Sequence, residues 1–454
     1  MIRVIDAPSS SSRPQARPPR TLTAGLLLVI LAVAFESMAV STVLPRVAAD
    51  LRGLELYGWA SSAFLLASLF GAVLAGFVTD RRGVAVSAAL GIGVFAVGLS
   101  VAGAAPSMTV FVLSRFVQGL GAGGLGALPF AVIRARYPEE ARASMLAAVS
   151  SAWLLPALVG PLLASLVADA WSWRAVFWGL APLVLLVAPL CVLPLREERP
   201  TVPTSRASAG LRFAFVLAAS AGALIEGFRR ADGLGAVLML LGGGGVVWSV
   251  RVLFPRGMWR LLPGLPAALV TRGFAAFAVL GASSFLPLAL NELRGLTLTQ
   301  AGWLLSVGGV TWSAGSFVQS RLDASAVEAS RIGRVRLGMA GVTVGLAFTA
   351  LAVFGVTPLW TAYAGWALSG FSMGVGYNAN SLFALGSVNE QQAGRLSGQL
   401  ANIEVLMTAI AAGLVGAFIA RVSPLGTSFV LAFAATLAAS LMTWLGASRL
   451  RRSS

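Results

Sequence analysis

The sequence has 454 residues, of which 57% are hydrophobic and only 11% charged, and its formal net charge is +16. Soluble proteins carry about 25% charged residues, so this composition excludes a water-soluble globular domain. The chain has no histidine, no lysine and one cysteine, Cys191, which excludes histidine metal sites, Ser-His-Asp triads, Walker A loops and internal disulfides. Apolar runs of about 20 residues recur from end to end and indicate a polytopic membrane protein.

The chain begins with a polar tail and six predicted spans. Residues 1–20 are rich in Ser, Pro and Arg and are expected to be a disordered cytoplasmic tail. Residues 21–195 are predicted to form an N-terminal six-helix bundle, because each of their apolar runs is long enough to cross a bilayer. The predicted spans lie near 22–44, 57–78, 84–104, 109–133, 144–168 and 174–195.

A central region, residues 196–264, is predicted to separate two halves of the chain. A polar cytoplasmic linker at 196–207 precedes two extra spans near 208–227 and 232–253. The segment LFPRGMWRLLPG at 253–264 mixes apolar residues with arginine, which is typical of a helix lying at the membrane interface.

The last predicted unit is a C-terminal six-helix bundle at 265–448, followed by a short cytoplasmic tail at 449–454. The fold is therefore predicted as all-α, with 14 spans arranged as two six-helix bundles and two extra central helices. The last six spans lie near 270–290, 299–320, 333–355, 358–385, 396–420 and 424–447.

The arginines predict the orientation of the chain in the membrane. With the N-terminus inside, 25 of the 33 arginines fall on the cytoplasmic side and 7 outside, and Arg115 lies within a span. This bias predicts that both termini are cytoplasmic, and it assigns the positive charge to topology and lipid contact rather than to nucleic-acid binding. The Lys-free, Arg-rich usage is typical of a GC-rich bacterial genome, so we expect a multi-pass protein of the bacterial cell (inner) membrane.

Two short patterns in the first half carry a family resemblance. The loop after the second span contains Gly76 and Asp80-Arg81-Arg82-Gly83, which is similar to the GxLaDrxGrk loop of a transporter superfamily. The fourth span contains Arg115, Gln118, Gly119 and Gly121 in the spacing of the pattern RxxQGxG, which that superfamily links with proton coupling.

Two further patterns point to one branch of the same superfamily. The fifth span carries Gly160-Pro161, as in the antiporter motif GxxxGPxxGG, and Glu36 lies nine residues before Pro45, as in the pattern LDxT…ALP. With these four patterns, the sequence resembles the major facilitator superfamily on its fourteen-helix drug:proton antiporter branch. The resemblance implies alternating access between two six-helix halves, with these glycines, Pro161, Asp80 and Arg81 in gating and antiporter motifs.

Three charged residues inside spans are the candidates for proton coupling. A carboxylate within a span costs on the order of 2.5–3.5 kcal/mol on insertion scales, so such residues usually have a function, and Glu36 is the first candidate. Burial favours its protonated form and a cation favours its ionised form, which is the competition that antiport needs. Arg115 is expected to tune a carboxylate, and Glu404 to be a second protonation or cation site. The alternatives are a permanently paired Glu36, a packing role for Arg115 and an interhelical hydrogen bond for Glu404.

The remaining polar residues give weaker predictions. Glu226 is expected to form a satisfied interfacial pair with Arg229 and Arg230. Gln118 lies one turn from Arg115 and is expected in the same polar cluster. The glycines of spans 4 and 5 favour close helix packing, whether for rocking or for ordinary membrane packing. The predicted substrate cavity consists of Ser37, Gln118, Trp153, Tyr377, Asn378 and Asn402.

The function expected from these features is proton-coupled antiport that exports hydrophobic or cationic small molecules, that is, drug efflux. The alternatives are the same fold carrying another solute, such as a sugar, amino acid, siderophore or secondary metabolite, and a non-transporting membrane scaffold. An enzyme is disfavoured because no nucleophile–base pair or metal set can be assembled without histidine or lysine. The expected partners are a small-molecule substrate, protons and membrane lipids, with no cofactor, metal or nucleic acid, and the chain is expected to act as a monomer.

Overall fold

A computed structural model describes residues 20–196, 205–323 and 328–451. The predicted tail at 1–20 (except Arg20), most of the linker at 196–207 and the end of the tail at 449–454 lie outside the described residues. The described ranges form fifteen α-helices: α1 (Arg20–Asp50), α2 (Tyr57–Arg82), α3 (Val84–Gly103), α4 (Met108–Arg136), α5 (Glu139–Ser151), α6 (Leu154–Ala170), α7 (Trp173–Val192), α8 (Ser205–Arg229), α9 (Gly233–Leu253), α10 (Leu265–Arg294), α11 (Leu298–Asp323), α12 (Glu328–Val353), α13 (Trp360–Gly386), α14 (Glu390–Arg421) and α15 (Leu425–Ser448).

Within these ranges, twelve helical segments are long and apolar enough to cross a membrane, with α5 and α6 counted as one segment. The sequence predicts 14 spans, and the difference lies in α11 and α13. These helices have 26 and 27 residues, so their length suffices for a membrane. They are less apolar because they are rich in Gly, Ser, Trp and polar side chains, such as Gln319 and Asn380.

In the first bundle, α1–α7, helix α4 packs closely against α2 and α3. Glycines of α4 face both neighbouring helices: a Cβ atom at Gly119 would overlap the carbonyl of Phe64 on α2, and one at Gly121 would overlap the backbone of Phe95 on α3. The close packing predicted for the glycines of span 4 is therefore confirmed, whereas a Cβ atom at Gly160 of span 5 would only reach ordinary contact with Met38, at 3.4 Å. In the second bundle, α10–α15, glycines play the same part, since Gly374 of α13 lies against the backbone of α11.

The two bundles meet at the end that lies opposite the chain termini, which we call the distal end. There Gly58 of α2 lies against Gly416 of α14, and the Ser62 hydroxyl donates to the carbonyl of Ala409 at 2.8 Å. We call the other end, where α1 begins and α15 ends, the terminal end.

A second contact between the bundles at the distal end joins α6 to α11. The Thr299 hydroxyl donates to Asp169 Oδ2 at 2.7 Å, and Gly302 lies against the carbonyl of Pro161. Small residues on both helices permit this close approach.

The extra hairpin, α8–α9, packs across the boundary between the bundles. Gly222 of α8 faces Trp59 of α2, and Ile225 fills the space beside Gly413 of α14. The indole of Trp59 also donates to Glu226 Oε2 at 3.0 Å, and Arg421 donates to the carbonyl of Phe228 at 3.0 Å. The hairpin therefore contacts both bundles at the distal end.

The predicted fifth span near 144–168 lies within the candidate span Glu139–Ala170, which is divided into two helices because α5 ends at Ser151 and α6 begins at Leu154. Two other element predictions were wrong in detail. The first helix does not stop at Pro45 but continues to Asp50, since one lost backbone hydrogen bond is outweighed by packing of the helix. The segment 253–264 is not an interfacial helix: it contains one 3₁₀ turn, Met258–Arg260, because Gly257 and Leu261 on either side take left-handed conformations.

Candidate functional site

Glu36, Arg115 and Gln118 form one polar cluster in the interior of the first bundle. Arg115 Nη1 donates to Glu36 Oε1 and to Gln118 Oε1. The side chains of Glu36 and Arg115 are 0% and 3% exposed. The prediction that Gln118 shares a cluster with Arg115 is confirmed, because residues three apart on α4 lie on the same face.

Neutral groups also hold the Arg115 guanidinium. Its Nε donates to the carbonyl of Ala60 on α2 at 3.1 Å, and the ring of Phe64 lies under it, with 4.2 Å from Cζ to the ring centroid. Gln118 Nε2 in turn donates to the carbonyl of Gly98 on α3 at 3.0 Å. The guanidinium therefore keeps acceptors and an aromatic face whether or not Glu36 is ionised.

The second oxygen of Glu36 has no such support. Among the described residues, Glu36 Oε2 is buried without a hydrogen-bond partner. The Glu36 side chain thus depends on Arg115 for its hydrogen bonds, whereas Arg115 has further partners of its own.

A second acid–arginine pair lies in the second bundle. Arg272 Nη2 of α10 donates to Glu404 Oε2 of α14 at 2.8 Å. Arg272 also donates through Nε to the carbonyl of Leu400 at 3.2 Å and through Nη1 to Ser381 Oγ of α13. Its guanidinium lies over the ring of Tyr377, with 4.0 Å from Cζ to the centroid. Glu404 thus forms an interhelical pair, which is one of the two alternatives left open by the sequence.

Arg272 is the main residue that sequence reasoning missed. The positive-inside count places it among the cytoplasmic flanking arginines, but it lies two turns into α10 and its side chain is only 14% exposed. The signal that could have found it is its distance from the helix start, since Leu265 begins a continuous apolar helix.

The two pairs differ in how far solvent can reach them. The side chain of Glu404 is 29% exposed, whereas that of Glu36 is fully buried. One stripe along α14 consists of Glu404, Thr408 and Ala412, which are spaced four residues apart. The carbonyl of Ala412 lies against Gly58 of α2. The exposed face of Glu404 is therefore on the side of α14 that turns toward the first bundle.

The predicted cavity residues occupy different environments. Gln118 is buried in the Arg115 cluster and Tyr377 is buried against Arg272. Ser37, Asn378 and Asn402 are half-buried. Trp153 lies at the break between α5 and α6, and its side chain is exposed. The structure thus groups Tyr377 with Glu404 and Gln118 with Glu36, and does not bring all six residues together.

The motif residues of the loop after α2 lie at the terminal end. Gly83 is the single residue between α2 and α3, and its φ of 88° is in the left-handed region that favours glycine. Gly76 is exposed, and the Arg81 guanidinium lies over the ring of Phe77 at 4.2 Å. Within the described part of the chain, Asp80 makes no ion pair or side-chain hydrogen bond.

A charged cluster that the sequence did not single out occupies the corresponding loop of the second bundle. Asp323, the last residue of α11, accepts two hydrogen bonds from Arg331, both at 2.8 Å, and one from Arg334 at 2.9 Å. The hydrogen bonds from Arg331 lower the pKa of the Asp323 carboxyl below its ordinary value.

The antiporter motif of α6 lies where three helices meet. Gly160 faces Phe35 and Met38, which flank Glu36 on α1, and the carbonyl of Pro161 faces α11. The motif therefore separates α1 of one bundle from α11 of the other. Glu226 accepts hydrogen bonds from both Arg229 and Arg230 at 2.7 Å, as predicted, and from Trp59 in addition.

Comparisons with known proteins agree on the family. Residues 26–412 match the family model described as Major Facilitator Superfamily. A Mycobacterium tuberculosis protein named "Probable multidrug-efflux transporter" is 28% identical over 394 residues, covering 83% of this chain and 82% of the relative. Multidrug resistance protein MdtL of Escherichia coli is 32% identical over 163 residues, which cover 36% of this chain and 42% of the relative.

Solved structures share the fold at low sequence identity. An auto-inhibited peptide transporter of the POT family superposes with a TM-score of 0.70 and 16% identity, covering 95% of this chain and 98% of the other. A D-xylose–proton symporter superposes with a TM-score of 0.65 and 15% identity, covering 94% of this chain and 97% of the other. This chain is thus an all-α, multi-pass membrane transporter and not an enzyme, and it belongs to the major facilitator superfamily.

Proposed function

We propose that the chain is a proton-coupled antiporter that exports hydrophobic or cationic small molecules by alternating access. The observation that carries the proposal is the Glu36–Arg115 pair, in which a fully buried carboxylate keeps one oxygen without a partner. Buried ionisable residues within membrane spans are expensive and commonly mark ion or proton pathways. The choice of substrate class is supported by two relatives, one named a probable multidrug-efflux transporter and one named a multidrug resistance protein.

The proposed coupling step is reversible protonation of Glu36. When Glu36 is protonated, Arg115 keeps the carbonyl of Ala60, the Gln118 amide oxygen and the Phe64 ring as partners. Protonation therefore changes the charge of the cluster without leaving a guanidinium unsupported. Because Gly160 and Pro161 connect the neighbourhood of Glu36 to α11, this change of charge can bias the contact between the bundles.

The proposed topology has 14 spans and cytoplasmic termini, in the bacterial cell (inner) membrane. We include α11 and α13 as spans because they run side by side, from the Tyr363–Gln300 hydrogen bond at the distal end to the contact of Gly374 with Trp312 farther along. With cytoplasmic termini, the distal end is extracellular and the contacts between the bundles close that side. We therefore propose an inward-facing state, and a functional monomer without a cofactor.

The proposal is tested with inverted vesicles whose interior is acidified, using a pH-sensitive dye and a panel of lipophilic cations, anions and neutral compounds. We expect at least one lipophilic cation to dissipate the proton gradient with the wild-type chain and not with Glu36→Gln. Glu226→Gln is the matched control, because Glu226 lies at the distal end in a separate, half-buried network with Arg229 and Arg230, and it should behave like the wild type.

Three outcomes would overturn the proposal. If Glu36→Gln dissipates the gradient as well as the wild type, Glu36 is not the coupling carboxylate. If no compound in the panel moves protons while a metabolite-uptake screen detects transport, the chain carries another solute. A chain that is inactive in both assays would support the scaffold alternative.

A further inference from the structure

We propose that Arg272 and Glu404 form a substrate subsite in the second bundle that binds an amphoteric aromatic small molecule. In this subsite the anionic group of the ligand pairs with Arg272 and the cationic group with Glu404. The inference rests on the proposed transport function and adds to it the charge pattern of the preferred substrate.

Access distinguishes this pair from the pair in the first bundle. Glu36 and Arg115 are sealed within α1–α4, so a ligand has no route to them in this state. Glu404 keeps 29% of its side chain exposed, on the stripe of α14 that faces α2 farther toward the distal end. A ligand that enters between the bundles from the terminal end therefore meets Glu404 and Arg272 first.

A buried polar atom beside the pair has no partner within the described residues. It is Asn380 Oδ1, one turn along α13 from Tyr377, and the amide nitrogen of the same side chain already donates to the carbonyl of Ala268 at 2.9 Å. Unsatisfied buried polar groups of this kind require a ligand or water to complete their hydrogen bonds. The Tyr377 hydroxyl lies beside Glu404, close enough to donate a hydrogen bond to its carboxylate.

Charge balance selects an amphoteric ligand over a simple ion. A lone cation at Glu404 would draw the carboxylate away from Arg272 and leave a largely buried guanidinium with only its neutral partners, Leu400, Ser381 and Tyr377. A lone anion at Arg272 would leave Glu404 in the same position. A ligand with both charges inserts between the two side chains and gives each a new partner, so no charge is left unpaired at any stage.

The ring contacts select an aromatic ligand. The indole of Trp312 on α11 packs edge-to-face against Tyr377, with 5.8 Å between the ring centroids. The Arg272 guanidinium lies over the face of the same Tyr377 ring. Trp312 is half-buried, so part of its surface is free to contact a flat ring. Aromatic pairs of this geometry add energy beyond the area that they bury.

The test measures binding directly, with the full-length chain in lipid nanodiscs. Nε-dansyl-lysine carries both charges and an environment-sensitive fluorescent ring, its methyl ester carries only the positive charge, and its Nα-acetyl derivative carries only the negative charge. We expect the wild-type chain to bind the amphoteric compound at least about tenfold more tightly than either derivative.

Two single substitutions and one double substitution check the assignment. Arg272→Gln should weaken binding of the amphoteric compound by about tenfold, while binding of the ester is unchanged or tighter. Glu404→Gln should weaken binding of the amphoteric compound and leave binding of the acetyl derivative unchanged. The double variant Arg272→Gln/Glu404→Gln leaves no unpaired charge, so it should fold and should bind all three compounds equally. Thermal unfolding verifies that each variant is folded, and Glu226→Gln should bind as the wild type does.

Equal affinity of the wild-type chain for the ester and the amphoteric compound would overturn the inference, as would an unchanged preference in both single variants. The result is separable from the test of the proposed function. If the charge preference holds and no ligand moves protons, the subsite stands and proton antiport fails. If cations drive proton movement through Glu36 and Arg272→Gln has no effect on binding, antiport stands and the subsite fails.

Discussion

Arg115 on α4 and Glu36 on α1 form an ion pair in the interior of the first bundle, where their side chains are 3% and 0% exposed. Residues this deeply buried have no water to replace a lost partner, so each side chain depends on the other. Arg115 has additional partners in Ala60, Gln118 and Phe64, whereas Glu36 Oε2 has none among the described residues. The pair is therefore asymmetric, and its two members respond differently to substitution.

Stability measurements should reveal that asymmetry. We expect Arg115→Leu to lower the free energy of unfolding by about 3–5 kcal/mol, because it leaves a buried carboxylate without a counter-ion. Glu36→Leu should cost less, since Arg115 retains neutral acceptors. The double variant Glu36→Leu/Arg115→Leu should recover most of the loss. Denaturant unfolding in detergent gives the four values of the cycle, and additive effects of the two substitutions would contradict the direct pairing.

Cross-linking should report which end of the molecule is closed. The side chains of Asp169 and Thr299 are in hydrogen-bond contact at the distal end, and Cys191, the one native cysteine, is buried. We expect the pair Asp169→Cys/Thr299→Cys to form a disulfide rapidly under mild oxidation and to stop transport until it is reduced.

A second cysteine pair at the terminal end is the control for this experiment. Pro138→Cys/Val388→Cys joins the loop after α4 to the residue just beyond α13, in different bundles. In the resting protein this pair should cross-link slowly compared with the distal pair. Faster cross-linking at the terminal end would mean that the resting protein is closed there instead.

The hydrogen bond from Trp59 to Glu226 should contribute to the attachment of the α8–α9 hairpin. Hydrogen bonds to charged groups contribute about 1.5–3 kcal/mol, and partial exposure of Glu226 reduces this value. We expect a coupling of about 0.5–1.5 kcal/mol in a cycle of Trp59→Phe and Glu226→Gln. Thermal unfolding of the four proteins in one detergent measures it, and zero coupling would indicate that the hairpin is held by apolar packing alone.

Acid should weaken the Asp323 cluster at the end of α11. The pKa of Asp323 is lowered by hydrogen bonds from Arg331, so its contribution to stability is present above its unfolded pKa of about 3.9 and is lost as the pH falls through the lower folded pKa. Wild type should therefore melt at a higher temperature than Asp323→Asn at pH about 7. The difference should shrink as the pH falls below the unfolded pKa of about 3.9, and a difference that stays constant on acidification would contradict the pairing.

Some of the site could be predicted because it depends on neighbours in the sequence. Arg115 and Gln118 share a helical face by spacing alone, and Glu36 stands out as a charge within an apolar run. The pairing of Arg272 with Glu404 could not be predicted, since 132 residues separate the two side chains. Their contact depends on the positions of α10 and α14 in the bundle, on which local patterns carry no information.

The sequence by itself determined that the protein is a helical membrane protein, because apolar run length and charge content depend only on composition along the chain. Its short motifs added the resemblance to a transporter superfamily. It also located most of the helices and the buried acid of α1. Only the tertiary structure decided that α5 and α6 are separate helices and that the bundles touch at the distal end. It also decided that Arg272 lies inside the second bundle rather than at its edge. These features arise from packing between distant segments, where small residues such as Gly58 and Gly416 allow contact and the geometry of the whole bundle determines which charges meet.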